Sequence, residues 1–303
     1  MKNLMIPALA LFLSAAAQAD DSPLWMRYCA ISPDGQTIAF SYQGDIYTVP
    51  SSGGKARQLT THPAHDTRPV WSPDGQKIAF ASNRSGNFDV FLMNKEGGEP
   101  KRLTTHSTNE YPTTFKDNGH ILYLANILQD AKDIQFPGTR FMQVYEISTD
   151  GGRPDLYSSL YMENIALSKD GSKLLYNDYK GYEDPWRKHH QSSITRDIWL
   201  CTLGKDRSFQ KVTTFGGEDR NPVWAADGAS FYYLSEEKGS FNIFKKDLAG
   251  NSEKQITTHT THPVRFLTSD NSGTLCYSYD GEIYTVKAVS YTHLRAHETS
   301  LHL

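Results

Sequence analysis

The sequence predicts an all-β fold: a six-bladed β-propeller of four-stranded antiparallel blades, with the last blade incomplete. Three observations carry this. A unit of four short apolar runs recurs six times. A turn of the Ser-Pro-Asp-Gly kind stands at the same place in most copies. The runs alternate apolar and polar residues, the period of a half-buried strand. The clearest copy spans residues 67–106. Pro69-Val70-Trp71 meets the turn Ser72-Pro73-Asp74-Gly75. Ile78-Ala79-Phe80 follows, then Asp89-Val90-Phe91, then Arg102-Leu103-Thr104-Thr105. One such meander cannot bury both its faces, so copies must stack around an axis.

The elements follow in order. Residues 1–19 read as a signal peptide: Lys2 gives a positive start, an apolar run follows, and Ala17-Gln18-Ala19 is a small-x-small cleavage site. The chain is therefore expected to be exported, periplasmic in a bacterium, with no membrane span left after cleavage. Residues 20–287 hold the repeats, marked by turn aspartates Asp34, Asp74, Asp117, Asp170, Asp227 and Asp270, a period of roughly 40–57 residues. The third strand recurs as Asp45-Ile46-Tyr47, Asp89-Val90-Phe91, Val144-Tyr145, Asp197-Ile198-Trp199, Asn242-Ile243-Phe244 and Glu282-Ile283-Tyr284. The fourth ends in Thr60-Thr61, Thr104-Thr105, Thr213-Thr214 and Thr257-Thr258, and drifts to Asp155-Leu156-Tyr157 in the third copy. Residues 288–303 match nothing in the repeat. They look like a non-native, disordered tail resembling translated adaptor read-through, which implies a natural protein continuing past about residue 287. His293 and His297 lie there without a third ligand, so no metal site is expected.

Composition excludes several classes. Charge is nearly balanced, with 31 basic and 34 acidic residues, so nucleic acid is not an expected partner. Cys29, Cys201 and Cys276 are too few and odd in number for a disulfide framework. Each reads as a small buried hydrophobe. A Cys29–Cys276 bridge is conceivable, because first and last blades should be neighbours, but buried thiols are the favoured reading. No nucleophile elbow, zinc-protease helix, Cys-x-x-Cys pair or phosphate loop occurs, so neither catalytic residues nor a cofactor are expected here.

A meander alternates its turns between two faces. The face after the first and third strands has short turns. The other carries long insertions at residues 128–141 and 178–195, and connections bearing His62, His65, Asp66, Arg68, His106, Glu110, Tyr111, Glu218, Asp219, Arg220, His259 and His262. That face is the expected working surface. Its richest loop, residues 180–190, supplies the candidate substrate-binding residues Arg187, Lys188, His189 and His190. The first two are suited to a peptide carboxylate. The acid recurring in the third strand, and the histidines after the Thr pairs, read as structural, because sites rarely need every blade.

The Ser-Pro-Asp-Gly turns, the Asp-Ile-Tyr strands and the Leu-Thr-Thr ends resemble the TolB-like propeller repeat. Pro23-Leu24-Trp25-Met26-Arg27-Tyr28, the loop Gly181-Tyr182-Glu183-Asp184-Pro185-Trp186, Thr195-Arg196-Asp197-Ile198-Trp199 and Gly217-Glu218-Asp219-Arg220-Asn221-Pro222 narrow this. They resemble the N-terminal propeller of exported tricorn-type serine peptidases. The resemblance implies a domain that gates or guides peptide or unfolded-protein substrates toward downstream protease domains of the same polypeptide, within a homo-oligomer. The nucleophile belongs to those domains. Two alternatives stay open: a stand-alone TolB-like periplasmic protein-binding propeller, and the propeller of a prolyl-oligopeptidase-type peptidase.

Overall fold

The computed structural model describes residues 25–127, 141–182, 184, 186, 191–250 and 252–287. The predicted leader and tail, and the candidates Arg187, Lys188, His189 and His190, lie outside the described residues.

Six antiparallel sheets are present, each cut from one continuous run of chain. Blade one holds β1 (Arg27–Ile31), β2 (Thr37–Tyr42), β3 (Asp45–Pro50) and β4 (Arg57–Gln58). Blade two holds β5 (Asp66–Trp71), β6 (Lys77–Ser82), β7 (Asp89–Asn94) and β8 (Gly97–Arg102). Blade three holds β9 (Glu110–Asp117), β10 (His120–Ala125), β11 (Gln143–Ser148) and β12 (Asp155–Ser158). Blade four holds β13 (Met162–Leu167), β14 (Lys173–Asp178), β15 (Ile198–Thr202) and β16 (Ser208–Lys211). Blade five holds β17 (Asp219–Trp224), β18 (Ser230–Ser235), β19 (Asn242–Asp247) and β20 (Glu253–Gln255). Blade six has three strands, β21 (Arg265–Ser269), β22 (Thr274–Tyr279) and β23 (Glu282–Lys287). The first strands of successive blades touch in sequence order, and β21 returns to β1, closing the ring.

Strand alternation explains the stacking. Successive side chains leave opposite faces of a sheet. Ile78 and Phe80 therefore pack toward blade one, while Ala79 packs toward blade three. Leu174 and Tyr176 face blade three, and Leu175 faces blade five. Six apolar clusters result, one per seam between neighbouring blades. Indoles pin two seams: Trp71 Nε1 donates to Ala30 O at 2.9 Å, and Trp224 Nε1 to Ala166 O at 2.9 Å.

The turn after each first strand owes its shape to its aspartate. In blade two, Ser72 Oγ donates to Asp74 Oδ1 at 2.6 Å, and that oxygen also accepts Gln76 N at 3.0 Å. Gly75 sits at φ 67°, where only glycine is unstrained. The same bonds recur at Asp34 and Asp170.

The Thr pairs differ from the sequence expectation. They lie just past the fourth strands and finish the ladder by side chain. In blade two, Leu103 N donates to Val90 O at 2.8 Å, and Val90 N donates to Thr104 Oγ1 at 2.9 Å. Thr60, Thr213 and Thr257 accept from Ile46, Ile198 and Ile243 in the same way. A hydroxyl stands in for a carbonyl where the chain must leave for the next blade. The recurrent third-strand acid is structural, as expected. Thr60 Oγ1 donates to Asp45 Oδ1 at 2.9 Å, Arg102 pairs with Asp89 at 2.8 Å, and Lys211 pairs with Asp197 at 2.8 Å.

Candidate functional site: the channel and its arginine-lined mouth

The six first strands surround a central cavity of about 1470 Å³. Each carries a β-bulge near its start, and in blade three a proline stands where the other five have a left-handed residue. Tyr28, Arg68, Asn164, Asn221 and Phe266 occupy matching positions with φ between 49° and 57°, and Pro112 takes that place in β9. A left-handed residue without a glycine is costly, and bulges of this sort turn side chains aside from the regular pleat. All five line the channel with Pro112.

The two ends of the channel differ in charge. The short-turn end is bordered by Asp117, Asp170, Asp227 and Asp270, with Lys116, Lys169 and Lys173 among them. Hydrogen bonds from Ser168 and Ser172 hold the Asp170 carboxyl down at about 2. The insertion end is bordered by Arg68, Arg196, Arg220 and Arg265, with Glu163.

These arginines fall into two groups. Arg196 is committed to structure: its Nε donates to Glu163 at 2.7 Å and its Nη1 to Glu218 at 3.4 Å. Arg220 shares Glu218 at 3.4 Å and lies 4.1 Å from the Phe241 ring centre. Arg27 and Arg68 have no carboxylate partner among the described residues. Arg68 is clamped between Tyr28 and Tyr111, 5.2 and 4.2 Å from their ring centres. Arg27 lies 4.8 Å from the Trp186 ring centre and 5.6 Å from that of Trp25. Stacking fixes both guanidiniums without neutralising them.

Trp186 belongs to the blade-four insertion, yet it stands over the first and last blades. Its carbonyl accepts Arg265 Nη2 at 3.1 Å, the Arg265 guanidinium lies 4.8 Å from its ring centre, and its ring meets Phe266 at 6.0 Å. Burial lowers the Arg265 pKa, and neighbouring Arg27 adds to this against the attraction of Asp184. The loop is rooted firmly: Asp178 Oδ1 accepts Asp197 N at 2.7 Å, and Lys180 Nζ donates to Thr195 O at 2.7 Å. A side pocket of about 260 Å³ opens beside Arg68, lined by Tyr111, Met142, Met162, Tyr179 and Tyr182 among others.

The expected working face needs one correction. Asp66, Glu110, Glu218 and Asp219 are buried at blade junctions and present no carboxylate to solvent. Each sits at or just before the start of a first strand; Glu110 and Asp219 lie against the blade before. Arg68 and Tyr111 do converge on the mouth. Arg27, Tyr28, Arg265 and Phe266 join them, and sequence reasoning did not single these out as site residues. Their only signal is a matching position at the bulge. Among the described residues, no group of three His, Cys, Asp or Glu side chains is placed to hold a metal, and no helix is long and apolar enough to cross a membrane.

A ring of six contiguous antiparallel blades, open through its centre and overhung by an insertion, defines the class: a six-bladed β-propeller. A family model described as the tricorn protease N-terminal β-propeller domain matches residues 23–292, and the chain belongs to that family. A tricorn protease homolog of Saccharolobus solfataricus is 23% identical over 267 residues, covering 86% of this chain and 23% of that protein. Tricorn protease homolog 1 of Streptomyces coelicolor is 24% identical over 269 residues, covering 88% and 24%. The crystal structure of the tricorn protease superposes with TM-score 0.71 at 22% identity, covering 88% of this chain and 25% of that one. TolB from Acinetobacter baumannii gives TM-score 0.63 at 15% identity, covering 88% and 62%. The chain thus spans about a quarter of the length of its tricorn relatives.

Proposed function

We propose that this chain is the substrate-guiding propeller of a tricorn-like serine protease, with the bond-breaking groups on other domains of the full protein. One observation carries the reading: a channel runs through the ring to a mouth where Arg27 and Arg68 are held by aromatic rings and paired with no acid among the described residues. A fixed cation at an open mouth suits the carboxylate end of a peptide. Arg187 and Lys188 lie on the loop that carries Trp186, so they belong to the same proposal, with His189 and His190 beside them. Lys2, the apolar run after it and Ala17-Gln18-Ala19 support export of the protein, and residues 20–287 are the propeller unit of this reading.

The test is a titration of the chain with short apolar peptides, followed by Trp fluorescence. A free C-terminus is expected to bind roughly 10–100-fold more tightly than the amidated form, the worth of one charge-assisted hydrogen bond. R68Q is expected to remove most of that difference. Equal affinity for both forms would overturn the carboxylate role. The TolB crystal structure shares this ring at TM-score 0.63, which supports a second reading, a stand-alone protein-binding propeller. That reading expects no dependence on a peptide's C-terminus.

A further inference from the structure

No strand is shared between the first and last blades, so packing and a few hydrogen bonds close the ring at this seam. Few polar contacts cross it. Met26 N donates to Gly281 O at 3.0 Å, and Asn271 N to Pro33 O at 3.0 Å. Thr268 Oγ1 accepts Ile31 N at 3.2 Å and donates to Cys29 O at 3.4 Å. Two of the chain's three cysteines meet at this seam. Cys29 is on β1, and its Sγ donates to Phe266 O at 3.3 Å. Cys276 is on β22, opposite Thr268 in the ladder. Both belong to one apolar cluster with Met26, Ile31, Phe40 and Ile283, and both are almost wholly buried.

We propose that Cys29 and Cys276 form a redox-operated staple across the seam where the ring closes. In the structure both are free thiols. Burial, and then a hydrogen bond to the Cys276 thiol, raise the Cys29 pKa well above that of a free cysteine. The thiolate is the reactive species and both sulfurs are buried from any reagent, so neither reacts while the seam is shut. Reaction therefore requires the seam between blades one and six to open.

The oxidant is a small disulfide such as glutathione disulfide. Cys29 loses its proton and its thiolate attacks one sulfur of the reagent. The reagent's S–S bond breaks and one thiolate leaves, giving a mixed disulfide on Cys29. Cys276 loses its proton, attacks the Cys29 sulfur and expels the second thiolate. The protein is oxidised by two electrons, the reagent is reduced to two thiols, and a Cys29–Cys276 bond remains. That bond joins strands from opposite ends of the propeller sequence, which constrains the unfolded chain strongly. It also ties β1 to the last blade, and so fixes the channel wall where β1 meets β21.

The experiment uses the chain carrying C201S, incubated with glutathione disulfide in urea just below the unfolding midpoint, and then returned to buffer. Peptide mapping is expected to show a Cys29–Cys276 link that dithiothreitol removes. The linked form is expected to melt roughly 5–10 °C higher than the reduced form. C29S and C29A should show neither effect. Separate glutathione adducts on the two cysteines, thiols that stay reduced, or a link that leaves Tm unchanged would each overturn the proposal.

Discussion

Glu110 shows how one buried carboxyl sets a pH response. It is almost wholly inaccessible, next to Asp89 and Tyr123 at the seam between blades two and three. Burial first, and then the Asp89 charge, push its pKa from 4.5 to about 7. Asp219, at the matching place in blade five, is likewise pushed by burial to about 7. A raised acid favours the fold fully below its unfolded value. That contribution is lost as pH rises through the folded value. Stability measured by urea denaturation is therefore expected to fall between about pH 4.5 and about pH 7. E110Q, neutral throughout, should flatten part of that slope. The turn aspartates act oppositely. Asp34 and Asp74 are lowered by their serine hydrogen bonds, so their contribution is lost on acidification below the usual carboxylate range. A slope that E110Q leaves unchanged would show that Glu110 is ionised in the folded chain.

At the scale of the strand, the Thr that completes each ladder is a sharp point of dependence. T104V keeps the shape and removes the acceptor for Val90 N, which is buried. Its expected cost is about 1–3 kcal/mol in chemical denaturation, the penalty of an unsatisfied buried donor. Blade six gives a second expectation at this scale. Among the described residues β23 has a neighbour on one side only, so its outward backbone groups lack a ladder. Hydrogen exchange across Glu282–Lys287 is expected to be faster than across Asp89–Asn94, and equal protection would count against a loose last blade. The strands themselves were legible in sequence because turn chemistry and alternation repeat six times. The third-strand acid was legible as structural for the same reason. What escaped was the division of labour at the fourth strand. Leu-Thr-Thr reads as strand by composition, and only the backbone shows that Thr104 bonds through its side chain.

Across the whole molecule, the insertion-bearing face was legible from loop length, and Arg68 and Tyr111 on it, but the meeting of arginines at its mouth was not. Arg27, Arg68 and Arg265 come from three blades, and bulges at matching positions bring them to one mouth. Trp186 meets Arg265 across 79 positions of sequence. No local pattern encodes such a meeting, because it depends on the ring having closed. Likewise Asp66, Glu110 and Asp219 look like surface acids in a polar connection, until the neighbouring blade covers them.

Blade four lies diametrically opposite blade one in a ring of six, and Trp186 crosses that diameter to rest on Arg27. Its indole thus stands over the entrance between Arg27 and Arg265. An overhanging indole ring narrows the opening on that side, where a helix about 10–12 Å across would meet it sooner than a single uncoiled chain would.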